Sequence, residues 1–216
     1  MLRISDIPVI SLDLETGGLV PGKHTPLSIG AVMVPGSGPL DKVDGYKITK
    51  ENSFYVQLEW DTVVIDPSAM RINRLNIVDP PGPEMYGQEV ASRSLPAKEG
   101  VLEFFNWLAS AQTTSRYVHA LGMNVGSFDL PMLRSIWNGP WPFHYRSIDL
   151  NSLFFALSQI QNKPFDAIKQ EITQIAWDNN EFSQEMEHYA LADAWFNVYA
   201  WKECLRRFGD GYEELL

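Results

Sequence analysis

Three separated stretches of the chain carry side chains suited to holding a divalent cation and moving a proton. In PVISLDLETGG (8–18), Asp13 and Glu15 stand two positions apart at the end of an apolar run. On a strand, that spacing puts both carboxylates on one face. At about 6 Å and an effective dielectric of about 20, two such charges repel by roughly 3 kcal/mol. Protonation, a basic partner or a bound cation relieves the repulsion, and no Lys or Arg follows until Lys23. Hard oxygen ligands in an acidic cluster suit Mg2+ or Mn2+. The same pair is also compatible with a strand end that frays into water.

The second stretch is HALGMNVGSFDLPML (119–133), in which Asp129 falls in the first turn of an expected helix, after a turn containing Asn124 and Gly126. A carboxylate there interacts favourably with the helix dipole. It also stands at a strand-to-helix edge, where α/β folds place ligands. The third is EHYALADAW (187–195), with His188 five residues before Asp193. On a regular helix those side chains stand about 140° apart. They converge only if His188 lies in the segment leading into the helix and reaches back; otherwise it is a surface histidine. HYRSID repeats the spacing with His144 and Asp149. There both residues are expected on a strand, where positions five apart face opposite sides, although Asp149 can neighbour the acidic group.

The elements that must position these residues follow from periodicity and punctuation. Strands are expected over 8–14, 26–34 and 52–58, the second followed by a PGSGP turn at 35–39, which gives an antiparallel meander. Two more are expected over 116–122 and 144–150. Helices are expected over 66–76, 97–111, 128–138, 151–160 and 164–179, with a last one from near His188. The last carries the apolar stripe Leu191, Ala194, Trp195, Val198, Trp201, Leu205 and Phe208, close to the 3.6 period. Residues 79–96 are rich in Pro and Gly and read as a long surface excursion. Three strands followed by alternating helices and strands indicate an α/β fold with a mixed sheet of five strands flanked by helices.

Composition narrows the function classes. With 216 residues, 45% of them hydrophobic, the chain can bury a full core and suits one domain. No apolar window is long enough for a membrane span, and acidic residues interrupt any leader-like N-terminal stretch. The single cysteine, Cys204, rules out an intrachain disulfide framework and makes a reducing, cytoplasmic setting the default. The net charge of −10 argues against coating nucleic acid through a broad basic face. It leaves room for an enzyme that takes a short strand end into a cation-neutralised cleft. The basic residues Arg71, Arg74, Arg93, Lys98 and Arg134 are scattered.

Taken in order, the three stretches resemble the DEDDh family of 3′→5′ exonucleases, which includes proofreading subunits and ribonuclease T. The family's apolar strand ending in D-x-E-T matches SLDLETGG, and its following I-G-A-V-like strand matches SIGAVMV. Its N-x-x-x-F-D pattern matches MNVGSFDLPML, and its H-x-A-x-x-D-A motif matches HYALADA. Each motif is weak alone, but the ordered set, from about residue 8 to 200, is specific. The chain departs from the family in carrying Met123 where a His often precedes the Asn, and in the length of 79–96 and 164–179.

The resemblance implies a ribonuclease H-like fold and a single exonuclease domain over 1–216. It implies two divalent cations, Mg2+ or Mn2+, held by Asp13, Glu15, Asp129 and Asp193, with His188 as general base. The substrate would be single-stranded DNA or RNA with a free 3′ end, released as nucleoside 5′-monophosphates. Thr16, Gly17, Leu19, Asn124 and Phe128 would contact that strand, with Gly17 and Gly18 allowing close approach. A homodimer is left open, and no membrane partner is expected. Two other readings are weighed: a catalytically silent ribonuclease H-like module that binds nucleic acid or protein, and the same fold acting on short oligonucleotides or nucleotide derivatives.

Overall fold

The computed structural model describes residues 8–34, 52–73, 94–111, 117–180 and 182–213. The first strand, β1 (Val9–Thr16), is the frame for everything else. Its residues alternate sharply. Ile10, Leu12 and Leu14 point into one apolar core, while Val9, Ser11, Asp13 and Glu15 point to the other face. β2 (Pro26–Val34) and β3 (Ser53–Glu59) complete the expected antiparallel meander. The expected turn at 35–39 lies outside the described residues.

After the meander come α1 (Pro67–Asn73), β4 (Ser94–Pro96), α2 (Ala97–Ala111) and β5 (His119–Gly122). α3 (Asp129–Ile136), β6 (Ile148–Asp149), α4 (Leu150–Ile160), α5 (Phe165–Asn179) and α6 (Ala190–Glu213) follow. The sheet order is β4-β3-β2-β1-β5-β6. Only the β1–β2 and β2–β3 pairs are antiparallel, so the sheet is mixed, as expected.

The sheet has six strands where the sequence predicts five. The addition, β4, is three residues long and pairs parallel with β3. It ends in Pro96, which cannot donate to a ladder and is tolerated at an edge. Three residues carry no readable alternation, and they stand at the end of the stretch expected as a surface excursion. The rest of that excursion, 79–93, lies outside the described residues, as do 74–76 of the helix expected over 66–76.

The strand expected over 144–150 shrinks to Ile148–Asp149. Phe143 bridges Val118, and Ile148 pairs with Leu121. Five steps along one segment therefore face three along the other. The surplus leaves the ladder, and Tyr145 is 81% exposed. His144 is consequently not on a strand. It stands edge-on to the His119 ring, with centroids 4.8 Å apart, while Asp149 accepts from the Ser152 N–H and caps α4. What separates the two is this excursion rather than strand alternation.

Two apolar cores make the fold three-layered. On one face Ile10, Leu12, Ile29, Phe54 and Val56 pack against Val101, Phe104 and Leu108 of α2 and Met132 and Leu133 of α3. On the other, Val9, Val32, Val34 and Tyr55 pack with Leu191, Trp195 and Val198 of α6, backed by α4 and α5. The predicted α6 stripe faces this second core, with Trp195 fully buried and Trp201 and Phe208 at its margin. No helix among the described residues is long and apolar enough to cross a membrane.

Candidate active site

α6 reaches the sheet because two small residues let it. Gly30 lies opposite Asp13 across the β1–β2 pair. A Cβ added there would stand 2.1 Å from the Ala190 carbonyl carbon and 2.3 Å from the Leu191 nitrogen. Ser11 then fixes the helix, its hydroxyl donating to the Ala194 carbonyl at 2.6 Å. These contacts lay the first turns of α6 directly over the polar face of β1.

The approach to α6 turns sharply. His188 has φ of 71°, in the left-handed region where His is among the more tolerated side chains. Its backbone N–H donates to the Asp193 carboxylate at 3.0 Å, and Asp193 in turn donates its N–H to the Tyr189 carbonyl. The helix start therefore folds back on itself, and the five-residue spacing no longer separates the two side chains. One ring nitrogen of His188, one oxygen of Glu15 and one oxygen of Asp193 lie within 4.8 Å of one another. That is a group able to hold a metal ion.

Asp129 arrives from the other edge of β1. β1 pairs with β5 only as far as Ser11–Leu121, so the Leu14 N–H has no strand to donate to. The Asp129 carboxylate accepts it at 3.0 Å, fully buried at the start of α3. Asp149, capping α4, is close enough that its charge raises the Asp129 pKa further.

The electrostatics tie the four carboxylates together. Burial pushes the Asp13 carboxyl up to about 7. Glu15 is raised well above its ordinary value by burial and then by the charges of Asp13, Asp193 and Asp129. Asp129 and Asp193 are raised for the same two reasons, burial first and the Asp13 charge second, against the lowering effect of the backbone N–H groups they accept. Asp13 is the member whose charge acts on the other three. Such a group is costly to ionise alone and is stabilised by a cation.

A groove of about 500 Å3 opens beside Glu15. Thr16, Leu19 and Phe128 line it, together with Lys23, His24, Asp66 and Ile72. Leu19 is 78% exposed on a short loop, and His24 braces that loop by accepting the Val20 N–H at its Nδ1. Phe128 is half-buried and shared between the groove and the apolar core.

Gly17 and Asn124, both expected at the bound strand, make other contacts within the fold. The space beside Gly17 is occupied by the Val64 carbonyl and Ile65, so Gly17 serves a packing contact, whereas Gly18 borders the groove. Asn124 lies outside the groove lining. Its φ of 56° makes the turn, and its side chain accepts from Asn151. Sequence reasoning missed the supporting residues Ser11 and Gly30. The readable signal was polar or absent side chains at alternate positions of otherwise apolar strands.

An α/β/α sandwich with carboxylates gathered at the end of its central strand is a ribonuclease H-like arrangement, and the comparisons agree. No family model matches the chain. Over 152 residues it is 24% identical to the 3′-5′ DNA exonuclease Cap18 of Escherichia coli, covering 69% of this chain and 68% of that protein. Among solved structures, the zinc-bound complex of E. coli exonuclease I with single-stranded DNA superposes with a TM-score of 0.62 at 17% identity, covering 97% of this chain and 42% of that one. Its complex with a dT13 oligonucleotide gives 0.58 at 16% identity, covering 97% and 43%. The chain therefore spans less than half the length of exonuclease I. It is similar in sequence to the Cap18 3′-5′ DNA exonuclease and shares the fold of exonuclease I, in line with the resemblance read from the three motifs.

Proposed function

We propose that the protein is a divalent-cation-dependent 3′→5′ exonuclease that removes nucleoside 5′-monophosphates from single-stranded DNA. The observation that carries this reading is the convergence of Glu15, His188 and Asp193 within 4.8 Å, beside the Asp13 carboxyl and the buried Asp129. The DNA preference is supported by the relatives, whose names and bound strands are DNA.

The donors are carboxylate oxygens, which fit Mg2+ or Mn2+. Asp13, Glu15 and Asp193 would hold one cation, and Asp13 with Asp129 a second. When bound, such a pair neutralises charge at the scissile phosphate and activates water. The remaining work falls to the chain's own groups. His188 accepts the proton of the attacking water as general base. Leu19 packs against the terminal base, Thr16 and Gly18 border the last nucleotide, and Phe128 offers an edge for stacking. A strand end taken into this groove, rather than a broad duplex face, suits a protein of net charge −10. Residues 1–216 form one exonuclease domain in this reading, working in a reducing, cytoplasmic setting.

The deciding assay uses matched 5′-labelled DNA and RNA strands with Mg2+, Mn2+ or EDTA. The expected product is a ladder shortening from the 3′ end, cation-dependent and faster on DNA. Equal cutting of a 3′-blocked strand would overturn the exonuclease reading. Binding without turnover under every cation would instead establish a silent module. His188→Ala is expected to lower kcat while leaving Mn2+ binding within a few-fold, whereas loss of Mn2+ binding would make His188 a ligand rather than the base.

A further inference from the structure

Ser28 has no part in the reading so far, yet its position is unusual. It is 0% exposed, and its Oγ has no hydrogen-bond partner. A buried hydroxyl left without a partner costs about 1–3 kcal/mol, so its retention calls for a reason. The register supplies one. Ser28 is the direct cross-strand partner of Glu15 in the antiparallel β1–β2 pair. Residues directly opposite share a face with Cβ atoms about 5 Å apart. Two residues on, Gly30 stands opposite Asp13 and meets the backbone of α6. The Ser28 side chain therefore lies on the polar face of the sheet, beside Glu15 and one pleat along from the Gly30 contact with α6. Its neighbour on the other side is Gln57 of β3, the alternative acceptor.

We propose that Ser28 is a positioning residue for Glu15, its hydroxyl donating to the Glu15 carboxylate when a cation is bound and holding that carboxylate in its place facing His188 and Asp193. The proposal rests on the acidic centre being a cation site. A carboxylate on a metal has lone pairs to spare, and a donor behind it fixes its orientation. Ser28 acts through Glu15 and makes no claim on the substrate.

Mn2+ titration without nucleic acid, by calorimetry and by the free-ion electron spin resonance signal, tests this on the whole chain. The variants are Ser28→Ala, Ser28→Cys and Glu15→Gln, each with its metal-free melting temperature. Ser28→Cys keeps the volume with a weak donor, so it covers the case in which the alanine packs poorly. Both Ser28 variants are expected to bind Mn2+ about tenfold more weakly, with metal-free melting temperatures no lower than wild type. Affinity within twofold of wild type for both, with Glu15→Gln defective, would assign the hydroxyl to Gln57 or water and overturn the proposal. Wild-type Mn2+ affinity in Glu15→Gln would overturn the cation site itself, and the Ser28 role with it.

Discussion

At the scale of single residues, Asp13 is the electrostatic hub. Its carboxyl is pushed up to about 7 by burial, and its charge raises Glu15, Asp129 and Asp193. Replacing it should have opposite effects on function and on metal-free stability. Asp13→Asn is expected to bring nuclease activity to background. In EDTA at pH 8 it should raise stability on the order of 1–4 kcal/mol, because each tenfold change in a group's proton affinity on folding is worth ~1.4 kcal/mol. At pH 5 the folded carboxyl is protonated while the unfolded one is still mostly ionised, so the gain should be smaller than at pH 8 and should vanish only below about pH 4. Thermal melts at the two pH values check this, and an equal gain at both would contradict it. The five polar residues proposed for the site were legible in the sequence because their three motifs occur in order, with Asp13 and Glu15 interrupting an apolar strand. Their supporters Ser11 and Gly30 were not, since small residues in a strand have many ordinary explanations.

At the scale of elements, the site depends on how closely α6 lies on β2. Gly30→Ala puts a methyl 2.1 Å from the Ala190 carbonyl carbon, where only backbone can give way. The expected loss is about 1–3 kcal/mol or more, with Mn2+ binding weakened because His188 and Asp193 ride on the displaced helix. Gly209→Ala, on the same helix with open space around it, is the control. It should be neutral or stabilising by about 0.4–1 kcal/mol. Chemical denaturation of the two variants separates a packing clash from a general intolerance of glycine replacement in this region; equal stability would refute the close-approach argument.

The helices and the meander were legible because their periods run for seven or more residues. β4 and the truncated β6 were not. β4 has three residues, and β6 is cut short because 143–148 outruns its partner 118–121. That mismatch exists only between two segments, so neither shows it alone.

At the scale of the whole molecule, the raised carboxyls make stability depend on pH and on cations together. For each of the four, the folded-state pKa lies above the unfolded value, so the folded protein holds more protons between the two. That contribution is fully present below about pH 4 and is lost as pH rises through the folded values, near 7 for Asp13. The metal-free protein should therefore melt progressively lower from pH 5 to pH 8. Saturating Mn2+ binds the ionised form and stabilises by mass action, so the gap between Mn2+ and EDTA melts should widen over the same range. A gap that stays constant, or a metal-free melting temperature that rises, would count against a shared cation site. Cys204 plays no part in this, since burial pushes its thiol up to about 12.

The sequence alone determined the chemistry on offer: four carboxylates and a histidine, their order along the chain, and the strand or helix edge each occupies. Residue type and local period are properties of a few neighbouring positions, and they can be read directly. Only the tertiary structure decided that these groups meet. Asp129 reaches Leu14 because β5 stops short, and His188 reaches Glu15 because a left-handed turn and a missing Cβ at Gly30 let α6 settle on the sheet. Those are contacts between segments more than a hundred residues apart, set by packing rather than by local pattern.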